Sequence, residues 1–124
     1  LIQKYNIQKY FFLDSSFPMI YLLSKDGEKD IALRFSEFEG LDTILNMKDK
    51  VDWIWVDCFT RLALTNLEAN QLKQADFKLC LVSPELQGYD PECEIPKMWN
   101  ILVERNIFID AICTKHPEIW KSMF

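Results

Sequence analysis

Short apolar runs, too brief for typical helices, recur along this chain at intervals filled by helix-forming segments. That alternation restricts the fold more than any other feature. The runs are YFFLDSS at 10–16, IALRFSE at 31–37, DWIWVDC at 52–58, FKLCLVS at 77–83 and FIDAICT at 108–114. Several are apolar at successive rather than alternate positions, the pattern of strands covered on both faces in a parallel sheet. Helical signals lie between them. SSFPMIYLLSK offers serine caps and Pro18 in its first turn. LDTILNMKD is a short amphipathic piece after Gly40. In TNLEANQLKQA, Thr65 and Glu68 have capping-box spacing, and Leu64, Leu67, Leu72 and Ala75 recur at helical intervals. IPKMWNILVERN reads as a helix begun by Pro96, HPEIWKSMF as one begun by Pro117, and PELQGYDPECE before them as an irregular loop. The order βαβαβαβαβα predicts one α/β domain over residues 1–124, a parallel sheet with right-handed crossovers.

Charge narrows the partners. Fourteen Lys and Arg against nineteen Asp and Glu give a net charge of −5. No basic stripe exists to displace counterions from nucleic acid or to hold an anionic membrane surface, so neither partner is expected. No apolar stretch reaches 18 residues, which predicts no membrane span. The opening LIQKYNIQKYFFLDSS carries Lys4 and Lys9 through its apolar residues and is not read as a signal peptide. Cys58, Cys80, Cys93 and Cys113 show no metal-ligand spacing, and three of them sit in apolar runs. They are expected as reduced thiols of a cytoplasmic protein. The first residue is Leu1 rather than methionine, and the expectation is a piece of a longer protein.

In parallel α/β folds chemistry gathers at the carboxyl ends of the strands. Those ends read Asp14, Ser15 and Ser16; Arg34, Ser36 and Glu37; Asp57; Ser83 and Glu85; and Thr114, Lys115 and His116. Helix capping alone explains many Ser, Thr and Asp at such places. A ring in which every strand ends polar nevertheless suits a ligand-binding mouth. His116 is the only histidine, which excludes a two-histidine metal site or acid–base pair within the chain. No GxSxG, GxGxxG or GxxxxGK element occurs. Trp53 and Trp55 share a strand face with Asp57, and strand core is their simplest role.

YFFLDSSFP, with Ser16 and Phe17, resembles the strand ending in a Ser-Phe pair in the glycerophosphodiester phosphodiesterase-like superfamily of TIM barrels. IDAICTKHPEIW, with Thr114 and Pro117, resembles the strand that closes that barrel. FKLCLVSPEL takes the place of the penultimate strand, and RFSEFEGLDTILNMKDKVDWIWVDCF resembles a bacterial branch of the same proteins. The resemblance implies that the chain is the C-terminal five βα units of a (βα)8 barrel. It implies metal-dependent hydrolysis of a small phosphodiester in the intact protein, with a place in lipid metabolism. The catalytic histidines and the ligands of the divalent cation, Ca²⁺ or Mg²⁺, would lie on earlier strands, and the missing N-terminal part of the barrel would be a partner. Nothing in the chain matches the family's HRG, Glu-x-Asp, HD or Glu-x-Lys elements, so the fragment itself is expected to be inactive and to hold no metal alone. Ser16, Arg34, Glu37, Asp57, Glu85 and Lys115 are then candidates for the substrate-binding wall, with Arg34 and Lys115 placed by charge to meet phosphate.

Five βα units also resemble a response-regulator receiver, a flavodoxin-like doubly wound sheet. There Asp57 would be the phosphoacceptor, with Ser83 and Lys115 at the ends of the fourth and fifth strands. Asp14 alone stands where that family has an acidic metal-binding pair, and the Gly and Pro expected after Asp57 are absent. A non-catalytic α/β binding module is the third alternative. Strand order separates the first two, sequential for a barrel and 2-1-3-4-5 for a receiver.

Overall fold

A computed structural model describes Lys25 and residues 27–123. The expected first strand at 10–16, its helix and Ser16 lie outside the described residues. Within them run β1 (Ala32–Phe35), α1 (Asp42–Leu45), β2 (Trp53–Val56), α2 (Asn66–Gln74), β3 (Lys78–Val82), a 3₁₀ turn (Pro84–Gln87), α3 (Pro91–Glu104), β4 (Ala111–Cys113) and α4 (Pro117–Lys121). The strands are parallel neighbours in chain order, β1-β2-β3-β4. The alternating α/β reading therefore holds for these four units.

Sequential parallel strands joined by right-handed crossovers must carry all their helices on one face. The core is arranged accordingly. Leu33, Phe35, Ile54, Val56, Leu79 and Leu81 of the strands bury themselves in one cluster with Ile44, Leu72, Ile95, Leu102 and Trp120 of the four helices. The other face carries the alternate residues, in lateral rows set by the register: Ala32 beside Trp53 beside Lys78, and Arg34 beside Trp55 beside Cys80 beside Ala111. Trp53 and Trp55 are half-buried on this second face, apart from the cluster that holds Ile54 and Val56. The Lys78 ammonium lies 5.4 Å from the centroid of a Trp53 ring.

The helices start largely where their chemistry requires. Thr65 and Glu68 form the expected capping box at α2. The helix assigned to Pro96 begins a turn and a half earlier, at Pro91, leaving Pro96 inside α3. Pro91 occupies the first helical position, where a missing N–H is harmless, and the supposed loop PELQGYDPECE becomes a 3₁₀ turn followed by helix. Two helix ends dispense with glycine. After α2, Asp76 takes φ 66° while Phe77 N–H donates to Leu72 O at 3.1 Å. After α3, Asn106 takes φ 54° while Ile107 N–H donates to Leu102 O at 2.9 Å. Both are Schellman closures in which Asp or Asn adopts the left-handed conformation, followed by buried Phe77 and Ile107.

Since glycine adopts that conformation without a Cβ penalty, Asp76→Gly and Asn106→Gly should each raise stability in urea by up to about 1 kcal/mol. Destabilisation of both by a similar amount would contradict the assigned helix ends.

Candidate functional site

The carboxyl ends of the four strands are joined by carboxylates, each reaching the loop of the next strand. Glu37, just after β1, accepts backbone N–H bonds from Phe59 at 2.8 Å, Arg61 at 3.1 Å and Thr60 at 3.4 Å. Asp57, just after β2, accepts from the Gln87 side-chain amide at 2.8 Å and from Cys58 N–H at 2.9 Å. Glu85, after β3, accepts from the hydroxyls of Ser83 and Thr114 and from Lys115 N–H at 2.9 Å. Ser83, fully buried, also accepts from the Trp120 indole N–H at 2.9 Å, which fixes α4 to the end of β3. Tyr89 Oη donates to Phe59 O at 2.7 Å and holds the loop before α3 against the loop after β2.

The electrostatics follow from these bonds. Burial pushes the Glu37 carboxyl up, but the three N–H donors outweigh it and hold it below the ordinary glutamate range. Burial likewise raises Glu85, and the Ser83, Thr114 and Lys115 donors reverse this. Cys58 is buried beside Asp57, and desolvation with the nearby carboxylates pushes its thiol up to about 12. It is a neutral packing group and no nucleophile at neutral pH. Cys80 and Cys113 are also raised, chiefly by burial, and all four cysteines are free thiols.

Of the candidates chosen from sequence, Arg34 and Asp57 come together, with Arg34 Nε 3.8 Å from Asp57 Oδ2. Asp57 is only 3% exposed. The Arg34 guanidinium also lies 5.8 Å from the centroid of Phe59, whose ring is 6.0 Å from that of the exposed Phe38. Arg34, on the second face, and Asp57, two positions beyond Trp55, thus form a cation–carboxylate pair at the strand mouth. Glu37 and Glu85 are engaged in tying loops together. Lys115 joins Glu85 through its backbone, and its side chain is exposed. Gln87, Tyr89 and Trp120 were not foreseen as parts of this rim, since their partners lie 30 to 37 residues away in sequence. His116 precedes α4 without a side-chain cap, its Nδ1 3.1 Å from Glu118.

Comparison with known proteins gives no match, whether with family models, curated proteins or solved structures. The described residues do not fit a divalent cation. Asp57, Glu37 and Glu85 are each occupied by protein donors on different loops, and among the described residues no three His, Cys, Asp or Glu side chains converge. Nor, among those residues, is any helix long and apolar enough to cross a membrane.

Two measurements examine the rim. Because the folded Glu37 and Glu85 carboxyls are depressed, their contribution is present above the unfolded glutamate value of about 4.3 and is lost as pH falls through the folded values. Urea midpoints should therefore drop below about pH 4.3, and the Glu37→Gln/Glu85→Gln double variant should lose less between neutral and acid pH than the parent. An unchanged acid slope would refute the assignment. Asp57→Ala, which strands the Gln87 amide and Cys58 N–H, should cost about 1–3 kcal/mol. Asp57→Asn, keeping an acceptor, should cost less in the same denaturation experiment.

Proposed function

We propose that the chain forms one side of a (βα)8 barrel of the glycerophosphodiester phosphodiesterase-like kind and supplies a phosphate-binding wall to a metal-dependent phosphodiester hydrolase. The observation that carries this reading is Arg34. It stands on the face away from all four helices, which in a closed barrel is the interior, at the carboxyl end of β1. Asp57 lies against its guanidinium and is itself held by Gln87 and Cys58 N–H, so the cation is oriented by a buried, hydrogen-bonded carboxylate. A guanidinium so oriented suits the planar, two-point recognition of a phosphodiester anion. Lys115, at the end of β4, is a second cation for the same rim. The acid–base pair and the metal cage would come from strands outside this chain.

The sequential order supports a barrel rather than a receiver. A doubly wound sheet needs the strand at 10–16 between those of 31–37 and 52–58, whereas β1 pairs directly with β2 along all four residues. A phosphoacceptor also needs access, and Asp57 is buried with its Oδ1 taken by two donors.

Glycerophosphoethanolamine titrated into the 124-residue protein should shift the Arg34 Nε–H resonance in NMR without being hydrolysed. Arg34→Ala should weaken this binding about tenfold or more. Turnover with Mg²⁺ or Ca²⁺ at the rate of a complete enzyme would overturn the fragment reading. Modification by acetyl phosphate, lost in Asp57→Asn, would overturn the barrel reading in favour of the receiver.

A further inference from the structure

A cavity of about 240 Å³ lies on the helix side of the sheet, between the loop after β2 and one face of α3. Its α3 wall is made by Glu94, Lys97, Met98 and Ile101, positions spaced to share a helix face, with Arg105 just beyond the helix end. The floor is apolar, from Leu62, Pro84, Met98 and Ile101, of which Leu62, Pro84 and Met98 are buried. Three cations stand around it, Arg61, Lys97 and Arg105, against the single carboxylate of Glu94. In a chain of net charge −5, that is a local reversal of sign.

The cations differ in how they are held. Arg105 Nη1 donates to Leu62 O at 2.8 Å and Leu64 O at 3.0 Å, which fixes the guanidinium at the cavity wall. Lys97 makes an exposed pair with Glu94 at 3.2 Å, a contact weak enough to be exchanged for a bound anion. Arg61 is tied through its backbone N–H to Glu37, so the root of its side chain is fixed while the side chain is exposed. The volume holds about eight water-sized groups at roughly 30 Å³ each, enough for an anionic head and a short chain.

We propose that this cavity binds a small amphipathic anion, a carboxylate or phosphate monoester head on a short alkyl chain, with the head at Arg61, Lys97 and Arg105 and the chain on Met98 and Ile101. The lining holds neither Arg34 nor Asp57, although Arg61 and Tyr89 also belong to the tied rim. Hexyl phosphate and hexanoate are the probes, with inorganic phosphate and hexan-1-ol as head-only and chain-only controls. In NMR titrations of the full chain, one or both amphipathic probes should perturb the Lys97 and Ile101 resonances, and each control should bind at least tenfold more weakly. Which probe binds more tightly identifies the head.

Arg61→Ala and Lys97→Ala, both at exposed positions, should each weaken binding about fivefold to tenfold. Ile101→Phe, at a half-buried position, should exclude the chain, with circular dichroism checking that the fold persists. Lys48→Ala, an exposed change outside the cavity lining, should leave affinity unchanged. Glycerophosphoethanolamine should not displace the probe, so failure at the Arg34 mouth and failure here are told apart. Inorganic phosphate binding as tightly as hexyl phosphate would overturn the proposal, as would full affinity in both alanine variants or the absence of any perturbation at Lys97 and Ile101.

Discussion

Direct parallel pairing of each strand with its successor is the constraint from which the remaining architecture follows. It leaves the crossovers one face of the sheet, so Leu33, Ile54 and Leu79 meet the helices while Arg34, Trp55 and Cys80 turn the other way. It also places the four strand ends side by side in chain order. A carboxylate leaving one strand is therefore always within reach of the loop leaving the next. Glu37, Asp57 and Glu85 use that proximity, each accepting donors from the following βα loop.

These ties reconcile two demands that usually conflict. Loops at strand ends must be mobile enough to meet ligands, yet their backbone donors must be satisfied when partly buried. A carboxylate accepting two or three N–H or O–H donors satisfies them together and draws loops distant in sequence into one surface. The depressed carboxyls of Glu37 and Glu85 are the electrostatic signature of the arrangement. Acidic residues at the mouth of a sheet are thus ambiguous as markers of chemistry, since tying loops together calls for the same residue type in the same place.

The fold was legible where it depends on neighbours in sequence. Runs such as WIWV and KLCLV carry the apolar, β-branched and aromatic residues of strands. The expected cover on both faces is not found for WIWV, whose Trp53 and Trp55 are half-buried on the face away from the helices. The Thr65–Glu68 box announced α2. The start of α3 was obscured because two prolines compete, and only one sits where a helix tolerates it without loss. The left-handed closures at Asp76 and Asn106 were hidden because the usual signal is glycine. The last strand is shorter than its apolar run suggests, since Phe108 is exposed and Asp110 accepts Leu79 N–H ahead of β4. Of the candidate site, the residue types at the strand ends were readable. Their partners were not, because Gln87 and Asp57 stand 30 positions apart and meet only through the register of β2 and β3.

Arg34 and Asp57 meet at the carboxyl ends of β1 and β2. A carboxylate at the end of a tryptophan-rich strand has three plausible roles: acceptor of a phosphoryl group, general base, or orienter of a neighbouring cation. The first two need solvent or substrate contact at the oxygen that reacts. Asp57 Oδ1 is occupied by Gln87 and Cys58 N–H, and Oδ2 faces the Arg34 guanidinium within a side chain that is almost wholly buried. Both carboxylate oxygens thus face protein groups. Asp57 Oδ2 stands 3.8 Å from Arg34 Nε, an electrostatic pair at the mouth of the sheet rather than a hydrogen bond.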